Sequence, residues 1–398
     1  MSVVYKYIMT IVLCASALSA QSQSVLDSIT AIVVAGNPQL KATKDKYVVD
    51  SISYGRAVLL DDPQIDFEYN FGRGSLGDKW ALGISQSFEW PGIYSARTKA
   101  ANARVMESWQ GYVASLAEVT LQVRLLAIDI IGLNRRIEVQ ENVCDNLEEL
   151  SRLYKLAFDG RQISILDINK LRIELINSRQ SLEGLKAERA KSIEAMQALA
   201  GENPIDHEAI SKLIVYPDDE LLPIDTYIYS YRNEDPKIVA CTLSRTAGEA
   251  EEREASLSWA PKFEIGYQYS YELGDRFNGV TAGVSIPLFS SKRRKAHARA
   301  QTSAISSSLL TLQSENESFV RQLYGEAISL KQQMTLYGEV LDDDSCTDLL
   351  IQALDGGQIS LLTYLQELNY FIQARINYLS LENQYHRALV TLGKFYNY

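Results

Sequence analysis

Residues 63–92 read PQIDFEYNFGRGSLGDKWALGISQSFEWPG, and this stretch decides the fold. Two runs within it alternate large apolar residues with small or polar ones. The first run covers Ile65–Phe71 and the second covers Trp80–Trp90, and Gly74 and Gly77 lie in the short turn between them. A period of two with one apolar face predicts two β-strands joined as a hairpin.

The ends of the two runs add a second signal. The apolar faces carry aromatic residues at both ends, including Trp80 and Trp90, whereas small residues such as Gly83 and Ser85 occupy the opposite face. Aromatic residues at both interfaces and small or polar residues facing water are typical of a transmembrane β-barrel. A half-buried hairpin of a soluble β-sandwich has the same alternation. The hairpin alone leaves both interpretations open.

The composition limits how the chain could enter a membrane. It has 398 residues, of which 46% are hydrophobic, and a formal net charge of −11. Residues 1–20 have the pattern of a secretory signal, in which Lys6 precedes an apolar run, and cleavage is expected between Ala17 and Ala20. No later segment reaches 18 consecutive apolar residues, so insertion would depend on strands. The acidic charge, about −12 after cleavage, argues against nucleic-acid binding.

No motif indicates catalysis, a cofactor or a metal. Cys144, Cys241 and Cys346 follow the signal, and an odd number without C-x-x-C spacing predicts neither a disulfide framework nor a zinc site. The three histidines have no cysteine or carboxylate at ligand spacing. A nucleophile motif, a phosphate-binding glycine loop and paired catalytic carboxylates are also missing. We therefore expect a protein that is not an enzyme and has no cofactor, and the redox state of the cysteines stays open.

A very long helix is predicted after the hairpin. Apolar residues between Leu116 and Ile137 are separated by 3, 4, 3, 4, 3 and 4 positions, and no proline occurs between residues 92 and 203. A helix over 94–158 would be about 95 Å long, and its 3.5-residue repeat predicts coiled-coil packing. Residues 159–163 predict a tight reversal, after which a second helix is expected over 164–199.

The second half of the chain repeats this order. Asp235-Pro236 corresponds to Asn37-Pro38 and Pro261 to Pro63, each at an offset of 198 residues. A second hairpin and a second reversal follow at offsets between 196 and 200, with a second heptad helix between them. Five landmarks in the same order indicate a tandem duplication.

The duplication predicts a division into a signal and two structural repeats. The signal covers 1–20, the first repeat 21–215 and the second repeat 216–398. The first repeat is expected to contain a helix, a hairpin over 64–90, a long helix over 94–158, a tip over 159–163 and a helix over 164–199. The second repeat is expected to contain a helix, a hairpin over 262–289, a long helix over 291–354, a tip over 355–359 and a helix over 360–395.

Two hairpins supply four strands, each long enough to cross a bilayer when tilted. Four strands cannot close by themselves, because small barrels need about eight. An open sheet would leave backbone groups unpaired in lipid, so closure requires other chains. A trimer would supply 12 strands.

The sequence resembles the TolC-type outer membrane efflux proteins over essentially the whole chain after the signal. The resemblance is carried by the duplication, by the strand ends Phe88–Gly92 and Ile286–Phe289, and by the reversals over 159–167 and 355–362, which read DGRQISILD and DGGQISLL. It implies a homotrimer in the outer membrane of a Gram-negative bacterium. The fold class would be a tandem-repeat protomer of a trimeric 12-strand membrane β-barrel, continued by a long periplasmic α-helical coiled-coil tunnel.

The resemblance also implies a function. The chain would be the passive, gated exit duct of a tripartite efflux or type I secretion system, driven by an inner-membrane pump that a periplasmic adaptor protein couples to it. Small molecules, metal ions and polypeptides stay open as cargo, as do the identities of the adaptor and the pump. The alternative is a soluble periplasmic coiled-coil scaffold or binding protein. A secreted enzyme with a helical stalk would need catalytic residues that the sequence lacks.

The resemblance suggests three groups of functional residues. The gate candidates are Asp167, Asp355, Tyr364 and Glu367. The adaptor-contact tip is expected at Gly160, Arg161, Gln162, Gly356, Gly357 and Gln358. The residues expected to face lipid are Phe67, Tyr69, Trp80, Leu82, Ile84, Phe88, Trp90, Tyr267, Tyr269, Val284 and Ile286. Thr363 and Gln366 stand where the family often has Asp, so the identity of the gate stays open.

Two charged runs have two interpretations each. Lys292–Lys295 reads KRRK and follows the last predicted strand, where it would contact phospholipid headgroups; it could equally be the solvated start of a helix. Asp342–Asp344 would line the tunnel and favour cations, or form an exposed helix face.

Overall fold

The computed structural model describes most of the chain. The described ranges are residues 25–56, 58–72, 77–159, 164–217, 220–272, 274–287, 291–341 and 345–396. The predicted signal over 1–20, the predicted tip residues Gly160, Arg161 and Gln162, and the run Asp342–Asp344 lie outside these ranges.

Long helices alternate with two hairpins along the chain. In order, the elements are α1 (25–36), α2 (Pro38–Arg56), β1 (Gln64–Asn70), β2 (Lys79–Phe88), α3 (Pro91–Asp159), α4 (Ile165–Ala200), α5 (His207–Ser211), α6 (Ile224–Asn233), α7 (Pro236–Ser256), β3 (Lys262–Glu272), β4 (Asp275–Ser285), α8 (Ser291–Leu341), α9 (Ser345–Asp355) and α10 (Leu361–Leu392). A 3-10 turn over Gly393–Phe395 follows α10.

The observed boundaries lie close to the predicted ones in the first half. Helix α3 begins at Pro91, where the missing proline N–H costs nothing because the first turn of a helix leaves that donor unpaired. The predicted helix over 291–354 corresponds to two helices, α8 and α9, and the residues between them lie outside the described ranges.

The chain forms two compact units, and each contains segments of both predicted repeats. The strand unit contains Ala42–Ala114 and Arg232–Asn316. The helical unit contains the described residues up to Lys41, those within Ser115–Tyr231 and those from Glu317 onward. The compact units therefore do not coincide with the predicted division at residues 215 and 216, because each long helix continues from one unit into the other.

Helices of the strand unit pack through small residues. Ala247 and Ala250 of α7 are buried. A side chain added at Gly248 between them would come within 3.0 Å of Thr302 Oγ1 on α8. Small residues let two helices approach closely, so this stretch places α7 directly against α8.

The helical unit is held by apolar clusters along its helices. One cluster comprises Ala117, Tyr227, Tyr231, Val320, Ala327, Leu330, Tyr385, Ala388, Leu389, Leu392 and Phe395. Another comprises Val143, Leu147, Leu150, Leu171, Leu361, Tyr364, Leu365 and Leu368. On α3, the residues Val119, Val123, Ile130 and Ile137 of the predicted heptad seam are buried, as expected for helices packed along a 3.5-residue repeat.

The Asn-Pro and Asp-Pro sequences of the two predicted repeats have the same structural role. Asn37 accepts a hydrogen bond from the backbone N–H three residues later (3.0 Å), and its amide donates to the Leu199 carbonyl (2.8 Å). Asp235 accepts from the backbone N–H two residues later (2.8 Å) and from the Asn316 amide (2.7 Å). Each side chain therefore caps a helix with one atom and holds a distant segment with another.

A histidine is kept neutral inside the helical unit. The ring of His386 on α10 stacks on Tyr216, with centroids 4.1 Å apart. Arg135 of α3 lies 5.6 Å from the Tyr216 centroid and binds Glu382 at 2.6 Å. Burial and the charge of Arg135 lower the pKa of His386 to about 4, and burial raises the pKa of Tyr216 to about 12. The stack is therefore uncharged at neutral pH.

Replacing Asn37 with Ala should lower the free energy of unfolding by about 2 kcal/mol, because a buried cap and a buried hydrogen bond to Leu199 are lost together. Urea unfolding of the purified protein measures the change. The control is Ser192→Ala, which removes only a bond to the Glu188 carbonyl within its own helix and should cost less than about 0.5 kcal/mol. Equal effects of the two variants would contradict the bridging role of Asn37.

The His386 pKa predicts a pH dependence. Below an ordinary pKa of about 6.5 the unfolded chain binds a proton that the folded chain does not bind, so stability should fall as the pH drops from 7.5 to 5. His386→Phe should remove about 2 kcal/mol of that fall, measured by urea unfolding at both pH values. The exposed Gln366 of α10 supplies the control, since Gln366→Phe introduces the same ring without removing a titratable group and should leave the pH dependence unchanged. A His386→Phe variant with the wild-type dependence would contradict a neutral, buried His386.

Candidate channel wall and tip

The strand register brings the predicted lipid-facing residues to one face of the sheet. The sheet is antiparallel in the order β1-β2-β3-β4. The pairs on this face include Phe67 with Leu82, Tyr69 with Trp80, Leu82 with Tyr269, Ile84 with Tyr267, Phe88 with Phe263, and Phe263 with Val284. Trp90 and Ile286 lie just beyond the ends of β2 and β4. We call this side of the sheet the apolar face.

The apolar face is open to solvent within the described part of the strand unit. Phe67 is 67% exposed, Ile84 49% and Val284 61%. The face also includes residues that were not among those predicted to face lipid: Ile65, Phe263, Ile265 and Val280. The alternation of apolar and polar residues along the strands already indicated that these four residues lie on this face. A continuous exposed apolar surface of this kind marks a site of contact with a membrane or another protein.

Aromatic side chains occupy both ends of the apolar face. At the end near the hairpin turns, the Trp80 ring lies 5.4 Å from Tyr269, 6.3 Å from Tyr271 and 6.5 Å from Phe67, measured between centroids. At the other end, Phe88 is paired with Phe263. The aromatic pattern predicted from the hairpin sequence is thus present across the strands as well as along them.

The opposite face of the sheet carries small and polar residues, and we call it the polar face. Its residues include Asp66, Glu68, Gly83, Ser85, Glu264, Gly266, Gln268, Thr281 and Gly283. A side chain added at Gly266 would come within 2.5 Å of Thr281 Oγ1 and 2.8 Å of the Ile84 carbonyl. Only glycine fits at this position, so no side chain projects from this part of the polar face.

The two outer strands each have a single partner among the described residues. Strand β1 pairs with β2 alone, and β4 pairs with β3 alone. The other edge of each strand carries a row of backbone N–H and C=O groups that no described strand pairs. Such an edge is a template for pairing with a strand of another chain.

A network of ion pairs fixes the base of the sheet. Glu89, just after β2, binds Arg97 of α3 and Lys262 of β3, each at 2.7 Å. Arg97 also binds Glu254 of α7 at 2.9 Å. The Glu89 side chain is only 12% exposed, so these charge-assisted bonds replace the water that burial removes. No sequence pattern predicts this network, because its members come from four separate segments.

The first reversal ends in a capped helix. The Ser164 hydroxyl accepts from the Leu166 N–H at 3.2 Å and begins α4. The gate candidate Asp167 lies in the first turn of α4, where a carboxylate is favoured by the helix dipole. It is partly exposed and lies 3.6 Å from Lys170.

The second reversal is a tight turn that requires glycine. The N–H groups of Gly356, Gly357 and Gln358 donate to carbonyls of the last turn of α9 at 2.9, 3.0 and 2.8 Å. Gly357 has φ of +66°, a conformation that side chains disfavour. The Ser360 hydroxyl then accepts from the Thr363 N–H at 3.2 Å and begins α10. All three predicted tip residues of this reversal are exposed.

One gate prediction is wrong. Tyr364 of α10 is 0% exposed, because it packs against α3 and α4 in the cluster with Leu147 and Leu171. A side chain without exposed surface cannot line an aperture. Glu367 of α10 is exposed. Asp355 is the last residue of α9, and its side chain is outside the described part of the structure.

The described residues contain neither a helical membrane span nor a metal cluster. No described helix is long and apolar enough to cross a bilayer. No group of His, Cys, Asp and Glu within the described ranges could hold a metal ion. The three histidines lie apart, in α5, α8 and α10.

The fold is shared with solved outer membrane channels. CusC, which forms a transmembrane channel, superposes with a TM-score of 0.75 at 13% identity, over 93% of this chain and 91% of CusC. The CmeC outer membrane channel of Campylobacter jejuni gives 0.72 at 15% identity, over 94% and 85%. A membrane protein of Pseudomonas aeruginosa gives 0.75 at 16% identity, over 93% and 92%. No family model and no curated protein matches the sequence.

These superpositions define the class of fold. The chain has the mostly helical fold with a small antiparallel sheet that the outer membrane channels CusC and CmeC share, and both of those proteins are channels rather than enzymes. The resemblance to TolC-type proteins predicted from the sequence is thus confirmed at the level of the fold.

The corrected position of Tyr364 can be tested against Glu367. Tyr364→Ala should lower the free energy of unfolding by about 3–5 kcal/mol, because it leaves a cavity in a packed cluster. Glu367→Ala changes an exposed side chain and should cost less than about 0.5 kcal/mol. Urea unfolding measures both. A Tyr364→Ala protein with unchanged stability and a wider conducting pore would restore Tyr364 as a gate residue.

Proposed function

We propose that this chain is one protomer of a homotrimeric outer membrane channel, the exit duct of a tripartite efflux or type I secretion system. The observation that carries the proposal is the sheet, which has an exposed apolar face, a polar face and two edges that no strand of the described residues pairs. The fold shared with CusC and CmeC supports it.

In the proposed trimer the sheet forms one third of a 12-strand barrel. The apolar face lies against lipid and the polar face lines a water-filled lumen. Strand β1 of one protomer pairs with β4 of the next, so that no backbone group is left unpaired in the bilayer. Strands β2, β3 and β4 have 10, 11 and 11 residues, within the length that a tilted strand needs to cross a bilayer.

Exposed apolar residues on the helices support assembly as well. In the helical unit they include Leu153, Ile173, Ile176, Phe319, Ile328, Leu336, Val340 and Tyr370. These residues lie outside the seams that the protomer buries. In the proposed trimer they pack against neighbouring protomers and form the periplasmic α-helical tunnel.

The tip and the gate complete the proposal. Gly356, Gly357 and Gln358 are exposed and would meet a periplasmic adaptor protein, together with the first reversal. Asp167 and Glu367 are the gate residues that we retain, since both reach solvent near the two reversals. The duct itself is passive, and an inner-membrane pump drives small molecules, metal ions or polypeptides through it.

The composition of the apolar face favours a channel over a soluble periplasmic scaffold. A scaffold has no reason to avoid charges on that face. Among the described residues of the face, the one charged residue is Arg276, which lies at the turn end of β4 and is paired with Tyr271. The face between the two aromatic ends is free of charge, as contact with lipid requires.

Fractionation and conductance test the proposed function. We expect the protein to enter the outer membrane fraction, to require detergent for extraction, and to conduct ions after reconstitution into planar bilayers. A protein recovered as a soluble monomer from the periplasm, with no conductance, would refute the channel and support the scaffold.

Arginine substitutions test the orientation of the wall. Leu82→Arg or Ile84→Arg should cost about 2–4 kcal/mol of barrel stability and reduce the amount of membrane-integrated trimer, because both positions face lipid near the middle of β2. The matched control is Gln268→Arg on the polar face of the adjacent strand, which should assemble normally and alter ion selectivity. Normal assembly of Leu82→Arg together with failure of Gln268→Arg would reverse the assignment of the two faces.

A further inference from the structure

A dense basic surface lies at the start of α8. Within three turns the helix carries Lys292, Arg293, Arg294, Lys295, His297 and Arg299, and all six are exposed. The helix has no acidic residue before Glu315. In a chain with a net charge of −11 this concentration of positive charge is unusual. We call these six residues the basic collar.

The charges of the basic collar are not neutralised within the described structure. None of its residues forms an ion pair with a described carboxylate. Other arginines of the strand unit behave differently. Arg97 binds Glu89 and Glu254, and Arg104 binds Glu107 and Glu251. The collar therefore differs from a surface whose charges are satisfied by its own fold.

A cleft beside the collar has the size of a small-ligand site. It encloses about 620 Å³ within the strand unit, and Arg293, Arg294 and His297 lie along it. Apolar residues, including Ile93 and Pro287, form another part of its wall.

Acidic residues also line this cleft, but each already has a basic partner. Glu89 and Glu254 bind Arg97, and Glu251 binds Arg104. The positive charge of the collar is therefore the charge that remains for a ligand. A wall that combines apolar side chains with unneutralised guanidinium groups suits an amphiphilic anion.

The collar follows directly on the apolar face. Val284 is the last residue of that face within β4, Ile286 lies just beyond the strand, and both are more than 60% exposed. Lys292 comes six residues after Ile286. Six residues of extended chain reach about 20 Å, so Lys292 lies within about 20 Å of Ile286. Uncompensated positive charge next to an exposed apolar surface matches the boundary between the hydrocarbon and the headgroups of a bilayer.

We propose that the basic collar and its cleft bind the phosphate groups of anionic phospholipids at the edge of the membrane that the sheet enters. This inference rests on the proposed function, because only a sheet inserted in a bilayer brings the collar to the level of the headgroups. The arginines bind phosphate oxygens in pairs of hydrogen bonds, and the apolar wall of the cleft contacts the start of an acyl chain. The collar thereby fixes the depth at which the sheet sits.

The test compares lipid binding by two quadruple variants. The collar variant is Lys292→Gln/Arg293→Gln/Arg294→Gln/Lys295→Gln, and the control variant is Lys41→Gln/Lys44→Gln/Lys46→Gln/Arg56→Gln on α2, which removes the same charge from exposed positions. Native mass spectrometry of the detergent-solubilised full chain measures binding of phosphatidylglycerol and phosphatidylcholine. The wild type and the control should prefer phosphatidylglycerol by about tenfold or more, and the collar variant should lose that preference.

Two further arms separate the possible sources of the signal. Inorganic phosphate should not displace phosphatidylglycerol more than sodium chloride does at equal ionic strength; specific displacement would mark a site for free phosphate and overturn the lipid assignment. The double variant Arg293→Gln/Arg294→Gln, which removes only the two collar arginines that line the cleft, should lose a large part of the preference. An unchanged preference in the collar variant, or an equal loss in the control, would overturn the inference.

Conductance in phosphatidylcholine bilayers separates this inference from the proposed function. The collar variant should still form channels there, because its strands are unchanged. Channels without a phosphatidylglycerol preference in the wild type would refute the collar and leave the channel standing. Absence of channels for the wild type in every lipid would refute the proposed function and the collar with it.

Discussion

The unpaired edges of the four-stranded sheet are the constraint on which the rest of the structure depends. Strands β1 and β4 each leave one row of backbone groups without a partner strand in the described chain. In a bilayer each unpaired group would cost several kcal/mol, so an apolar sheet with open edges cannot be the finished wall. The exposed apolar face and the exposed apolar residues of the helices follow the same logic. Both are surfaces that a single protomer does not cover.

Polar contacts at the ends of elements hold the sheet and its neighbouring helices in shape. The network of Glu89, Arg97, Glu254 and Lys262 joins the base of the sheet to two helices of the same unit. In each half of the chain an Asx-Pro cap holds a distant segment through its second polar atom. The two halves of the chain thus share a bonding arrangement as well as an order of elements.

Much of the fold could be predicted from the sequence, because period and spacing are local signals. Alternation gave the two faces of the sheet, and the 3-4 spacing gave the buried seam of α3. The Glu89 network could not be predicted, since its partners are far apart in sequence and only packing brings them together. Tyr364 was predicted as a gate residue from its distance to the reversal alone. That distance does not show which face of α10 the residue occupies. Tyr364 lies three residues after Leu361 and four before Leu368, so it belongs to the buried stripe.

Intersubunit cross-linking of the two sheet edges tests the central claim most directly. The background protein has Cys144, Cys241 and Cys346 changed to Ser. Cysteine pairs such as Glu68→Cys with Thr281→Cys are introduced, one on β1 and one on β4. Moving each cysteine in steps of two residues covers every register on the polar face. Oxidation in membranes should give covalent dimers and trimers for at least one pair, because β1 pairs with β4 of the next protomer in the proposed trimer. Monomers in every register, from a protein recovered in the membrane, would contradict a barrel built from three sheets.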